Sequence, residues 1–239
     1  MELKVYRKDL DYSYALGAFP TMELINSRCE EVIKVLIHST FDNKEVIDEI
    51  KKKISEDKIS YNDKLIEKLS DKGNVYVIGV FKKYIDKLEE DADHVVLWRP
   101  SNMGNLGTIM RSSLGFGIKN IAIIENGPDY FDPKVVRASM GSIFNEKVEF
   151  FNSLEEYTDK YPNHKQYKFM LQANKSLRDE LFDSKRCSLV FGNEATGIDR
   201  KYLDDNALII RHSNEIDSLN ITNAVSIALY EYHEKKSGN

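Results

Sequence analysis

Three segments of this 239-residue chain combine glycine or asparagine with isolated polar side chains. They are RPSNMGNLGTIMRSSLGFG from Arg99, GNEATGI from Gly192 and RHSNEIDSLNITNAVSIALYE from Arg211. Glycine lets a backbone turn tightly or approach a ligand closely. Arginine supplies a charge that is never lost at neutral pH, in a fork that matches phosphate and carboxylate. Taken singly, Gly104, Gly107, Gly115 and Gly117 are equally well explained by turns and close packing where a strand meets a helix. Neither G-x-G-x-x-G nor G-x-x-x-x-G-K-[ST] occurs, so nicotinamide and nucleoside-triphosphate chemistry lack their usual signature. The histidines (His38, His94, His164, His212, His233) are scattered, and Cys29 and Cys187 stand far apart outside any C-x-x-C. Neither a metal site nor a disulfide framework is expected.

The elements that must position these segments follow from the apolar pattern. From about His94 onward, Val95 to Trp98, Ile121 to Ile124, Phe169 to Leu171, Leu189 to Phe191 and Leu208 to Ile210 alternate with helical stretches. That alternation predicts an α/β fold with a largely parallel sheet. Ligands of such sheets bind beyond the carboxyl ends of the strands, where the three polar segments fall. Before residue 90, Val32 to Ile37 and Val75 to Val80 read as strands. Lys44 to Ile54 and Asn62 to Leu69 read as amphipathic helices, which together suggest a small α/β module. Lys87 to Asp93 (KLEEDAD) reads as a linker or exposed helix end, giving expected domains of 1–93 and 94–239.

Composition is that of a globular protein, 41% hydrophobic and 31% charged. No apolar run reaches the roughly 18 residues needed to span a bilayer, and MELKVYRKDL lacks the apolar core of a signal peptide, so a cytoplasmic protein without a membrane partner is expected. The net charge of −5 argues against nonspecific coating of nucleic acid. Residues 1–94 carry 16 basic and 20 acidic side chains against 18 and 19 in the remainder, so neither half is basic overall.

In this order the three segments resemble the SpoU (TrmH-like) family of SPOUT-class RNA 2'-O-methyltransferases. Asn105 and Arg111 within PSNMGNLGTIMRS resemble its first motif, LVFGNEATGI (Leu189 to Ile198) its second and DSLNITNAVSIALYE (Asp217 to Glu231) its third. RASMG, from Arg137 to Gly141, resembles a further family segment. The preceding module, through YALGAFPTMELI and VYVIGVFKK, resembles the L30e-like RNA-binding domain often found ahead of this catalytic domain. The resemblance implies a deep trefoil knot near the C-terminus, a homodimer with sites near its interface, S-adenosylmethionine as cofactor and RNA as substrate, ribosomal RNA first and transfer RNA second.

For the cofactor, the resemblance implies that Gly192 admits close backbone approach and that main-chain groups around Ile210 and Leu219 hold the adenine; ordinary core packing is the other reading of Ile210 and Leu219. Asn105, Arg111, Glu194, Ser218 and Asn220 are assigned to catalysis and substrate positioning. A guanidinium with a pKa above about 12 is a poor proton acceptor near pH 7, so Arg111 is read as a clamp on phosphate or on the developing alkoxide and the base stays open. Asn105 is expected to orient Arg111 by accepting its hydrogen bonds. Simpler roles exist: Asp217 or Ser218 capping the helix that follows, and Glu194 neutralising a helix start ahead of Asp199 to Leu203.

The chain departs from the family at Arg211, His212 and Asn214, where a Pro-Met pair and a glycine are common; Asn214 is expected to keep the turn by adopting a left-handed conformation. A competing reading is a non-catalytic RNA-binding protein that retains the fold. A Rossmann-type small-molecule methyltransferase would need a glycine-rich loop after its first strand and an acidic residue ending the next, an arrangement not found here.

Overall fold

A computed structural model of the chain describes residues 2–70 and 73–237. The expected domain ranges also include positions 1, 71, 72, 238 and 239, which lie outside the described residues. In chain order the first elements are β1 (Tyr12–Leu16), α1 (Ala18–Ser27), β2 (Val32–Ile37), α2 (Lys44–Lys53), β3 (Ile59–Tyr61), α3 (Asp63–Leu69) and β4 (Val77–Lys82). Next come β5 (His94–Trp98), α4 (Met103–Gly115), β6 (Asn120–Ile124), α5 (Pro133–Ala138), β7 (Lys147–Phe151), α6 (Leu154–Lys160) and β8 (Lys165–Phe169). The chain ends with β9 (Lys175–Ser176), β10 (Cys187–Phe191), β11 (Leu208–Ile209) and α7 (Ile221–Ser237). Helix starts follow their polar caps: Asn43 accepts from the Val46 amide, Asn62 from Leu65, Asn102 from Asn105 and Ser153 from Glu156, each at 3.0–3.2 Å.

The chain divides into two compact units, one of residues 1–84 with 129–145 and one of 85–128 with 146–239. The first carries a four-stranded sheet in the order β1-β4-β2-β3, with β4 antiparallel to both neighbours and β2 parallel to β3. Tyr14, Leu36, Ile66, Ile78 and Val80 cluster in its core. The division departs from the expected boundary at 93/94 in two places: residues 85–93 fall in the second unit, and residues 129–145 are built into the first. Phe131 and Phe144 lie 5.8 and 5.0 Å from the Phe81 ring, Ser13 donates to the Phe131 carbonyl, and Asn145 bonds Ser27 and Glu23. The apolar pattern of that segment looks like a continuation of the β/α alternation on either side, so its partners were not readable from sequence.

The second unit carries a seven-stranded sheet in the order β7-β6-β5-β10-β8-β11-β9, parallel at every pairing described. The order reverses direction between β5 and β10: β6 and β7 lie on one side, the later strands on the other. Val96, Ala122, Val190 and Tyr157 pack over one face. Fully burying a valine such as Val96 or Val190 stabilises by about 1.5–3 kcal/mol. Among the described residues no helix is long and apolar enough to cross a membrane.

Candidate active site

A switch in strand order opens a crevice beyond the carboxyl ends of the two strands that flank it. Here those strands are β5 and β10, paired with Leu97 opposite Phe191. The segment after β5 and the segment after β10 therefore meet. Asn193 donates from Nδ2 to the Arg99 carbonyl at 2.8 Å, and Glu194 accepts from Ser101 Oγ at 3.0 Å and from Asn105 Nδ2 at 3.2 Å.

Glu194 thus sits at the N-terminal end of α4, where a negative charge is favoured by the helix dipole. The short helical turn at Arg200–Tyr202, the start it was expected to neutralise, is capped instead by Asp199. Burial alone would raise the pKa of Glu194, but hydrogen bonds from its own backbone, Asn105 and Ser101 outweigh burial and hold it below the usual carboxylate range.

Loop 192–198 is shaped by its own backbone. Asn193 and Gly197 form an antiparallel bridge, and Asn193 Oδ1 accepts from the amides of Ala195 and Thr196 at 2.9 and 3.1 Å. A Cβ on Gly192 would lie 2.3 Å from the Gly197 carbonyl carbon and 2.5 Å from the Ile198 nitrogen. The glycine is required by the loop itself, before any ligand is considered.

A cavity of about 220 Å³ opens between this loop, the end of β8 and the start of α7, with Phe169, Gly192, Glu194, Ser218, Leu219 and Ala224 in its wall. A second, of about 100 Å³, shares Phe169, Ser218, Leu219 and Ala224 and adds Ile210 and His212. Together they reach the lower end of the range for small-molecule sites, about 300–1,000 Å³. Apolar side chains such as Phe169, Leu219 and Ala224 beside one ionised carboxylate, Glu194, suit a ligand such as S-adenosylmethionine, which carries an adenine and a positive sulfonium. Gly192, Ile210 and Leu219 are the residues that would hold it. His212 Nδ1 is engaged with the Ser213 carbonyl, and Arg211 is exposed and lines neither cavity.

Of the residues assigned to catalysis, Glu194 and Ser218 line the larger cavity and Asn105 joins them through Glu194. Asn220 caps α7 through its side-chain oxygen: Oδ1 accepts from the Thr222 amide and hydroxyl at 2.9 and 2.7 Å, so it, and neither Asp217 nor Ser218, is the cap. Arg111 is exposed on α4, lines neither cavity, and has no hydrogen bond or ion pair among the described residues. The expected bond from Arg111 to Asn105 does not form. Six residues along a helix place two side chains about 120° apart around the axis and about 9 Å apart along it, and the Asn105 amide turns to Glu194. Asn214 is not among the residues with positive φ, so the third segment turns without the left-handed conformation expected there.

Two features were not singled out from the sequence. Arg99 and Glu125, the residues directly after β5 and β6, have φ of 48° and 63° and pair through their side chains. Asn193 acts as a turn builder, which an asparagine within GNEATG could have signalled.

The profile of the SpoU rRNA Methylase family matches residues 93–230, more than half of the chain. The chain belongs to the SpoU rRNA Methylase family. The 23S rRNA (uridine(2479)-2'-O)-methyltransferase of Streptomyces viridochromogenes is 29% identical over 168 residues, covering 65% of this chain and 58% of that protein. The 23S rRNA (guanosine(2553)-2'-O)-methyltransferase of Bacillus subtilis is 33% identical over 134 residues, 54% of this chain and 52% of the relative. The chain spans little more than half the length of these curated relatives. Among solved structures, the SpoU methyltransferase AviRb from Streptomyces viridochromogenes, in complex with the cofactor AdoMet, matches with a TM-score of 0.81 at 20% identity, over 96% of this chain and 92% of that one. At that identity the likeness is one of fold, an α/β architecture around a parallel sheet shared with SpoU methyltransferases.

Proposed function

We propose that the chain is an S-adenosylmethionine-dependent RNA ribose 2'-O-methyltransferase acting on ribosomal RNA, with tRNA as the alternative substrate class. The observation that carries this reading is the meeting of the family's second and third segments in one cavity wall, with the first tied to it through Glu194. The names of the Streptomyces and Bacillus relatives support the ribosomal choice.

In this reading Gly192, Ile210 and Leu219 hold the cofactor, which supplies a methyl group on a sulfonium with a neutral thioether as leaving group. The work of the protein is to align a ribose hydroxyl with that methyl and to exclude competing geometries. Glu194, its pKa lowered and its carboxylate accepting from Ser101 and Asn105, fixes the relation between the first and second segments. Ser218 contacts the substrate ribose or the cofactor edge, and Asn220 supports both by fixing the start of α7. Arg111 clamps a phosphate or the developing alkoxide. Neither Arg111, always charged, nor Glu194, held below the usual carboxylate range, is suited to take the hydroxyl proton near pH 7.

The chain also acts as a cytoplasmic homodimer with a trefoil knot, and its first unit as an L30e-like RNA-binding domain. The knot is supported by β11, which sits between the earlier strands β8 and β9. The dimer is supported by Arg111: exposed and outside its own chain's cavities, it is available to a second copy. Calorimetric titration with S-adenosylmethionine and S-adenosylhomocysteine, followed by transfer of a tritiated methyl group to total RNA, tests the function. Binding of both, with labelling that Arg111→Ala reduces at least a hundredfold while cofactor binding persists, is the expected outcome. Failure of either cofactor to bind contradicts it.

A further inference from the structure

The RASMG segment is accounted for by the fold at all but one of its polar or special positions. Ser139 is buried and donates to the Val136 carbonyl at 2.9 Å. Gly141 has φ of 82°, and a Cβ there would lie 2.8 Å from Glu23 Cβ and 3.1 Å from Pro20 Cα. Arg137 has no such role. It is half-buried on α5, and among the described residues its guanidinium has neither a hydrogen bond nor an ion pair.

Arg137 lines a cavity of about 640 Å³ within the first unit. Lys134, whose ammonium also has no hydrogen bond or ion pair among the described residues, shares the wall, and Leu16, Val75, Ala138 and Met140 give it an apolar side. The carboxylate there, Asp132, already accepts from the Lys134 amide at 2.8 Å. Met140 holds φ of 52°, an uncommon conformation for a residue with a side chain. A partly desolvated guanidinium without an acceptor costs free energy that an anionic ligand would return. Two cations beside an apolar wall match a phosphate joined to a flat ring.

We propose that this cavity receives one nucleotide of single-stranded RNA, its phosphate held by Arg137 and Lys134 and its base against Leu16, Val75 and Met140. RNA is bound in this way where bases are splayed out of a stack. The proposal rests on the reading of the chain as an RNA methyltransferase, and names where the first unit grips the substrate.

The test is fluorescence anisotropy with a 5'-fluorescein-labelled single-stranded RNA of mixed sequence, over a range of salt concentrations. Wild type is compared with Arg137→Ala and with Ala138→Phe, which keeps both cations and fills the cavity. Thermal unfolding and S-adenosylmethionine binding report on the fold of each variant. Both variants are expected to weaken RNA binding roughly tenfold, and Arg137→Ala to lower the slope of log affinity against log salt by about one, with cofactor affinity kept. Wild-type affinity in either correctly folded variant overturns the proposal and leaves the proposed function standing. If Arg137→Ala misfolds, Ala138→Phe decides; if both do, the exposed Lys134→Ala decides, unchanged binding contradicting the proposal. Wild-type protein that binds no RNA contradicts both readings.

Discussion

A methyl group at position 192 would collide with the backbone of Gly197 and Ile198, and neither can yield without breaking the Asn193–Gly197 bridge. Gly192→Ala is therefore expected to open loop 192–198, weaken S-adenosylmethionine binding by roughly tenfold or more in calorimetry, about 1.4 kcal/mol, and lower Tm by a few degrees. Unchanged binding would show that the loop does not shape the cofactor site. Glycine at 192 stood out in the sequence as a position needing a close approach, but the approaching atoms belong to the chain itself. Asn220 has a structural role that its type and spacing did not single out: its Oδ1 caps α7. A hydrogen-bond partner distant in the chain, such as Glu194 for Asn105, leaves no local trace.

Strands β5, β6, β10 and β11 were legible as apolar runs because strands of a parallel sheet are covered on both faces. β7 was not read: it lies at the sheet edge, mixes Lys147 and Glu149 with Phe150 and Phe151, and leaves Phe150 exposed. β1 and α1 were missed because Gly17 and Pro20 interrupt any periodic signal. The opposite end of β5 carries a buried polar network that the histidine spacing did not suggest. His94 Nδ1 bonds Tyr157 at 2.8 Å and Nε2 the Glu89 carbonyl at 2.8 Å, while His164 bonds Ser188 and the Glu90 carbonyl, both at 3.0 Å. Burial pushes the His94 pKa down to about 4; His164 adds to the lowering, and the Glu89 carbonyl, Asp93 and Glu149 oppose it. The folded state thus keeps His94 neutral where the unfolded chain, near 6.5, would protonate it. Because the unfolded state binds more protons in that window, stability is expected to fall as pH drops from about 6.5 towards 4. Thermal unfolding at a series of pH values measures this, and His94→Gln should flatten the slope; an unchanged slope would exclude His94 as its source.

For the whole molecule, the α/β class and the parallel sheet were readable from alternation, while the assignment of residues 129–145 to the first unit was not, since it depends on Phe131 and Phe144 finding Phe81. The exposed Arg111 carries a consequence for assembly. If it serves the site of a second copy, mixed dimers of Arg111→Ala and Gly192→Ala contain one site with an intact loop from one chain and an intact arginine from the other. Refolding the two variants together should then restore about a quarter of wild-type activity in a two-fold symmetric dimer, whereas an arginine acting within its own chain restores none. The most direct test of the central claim is mass spectrometry of RNA digested to nucleosides after incubation with the protein and deuterium-methyl-labelled S-adenosylmethionine. The account predicts the label in a 2'-O-methylated nucleoside, on the ribose; label on a base, or none in any RNA while the cofactor binds, would contradict it.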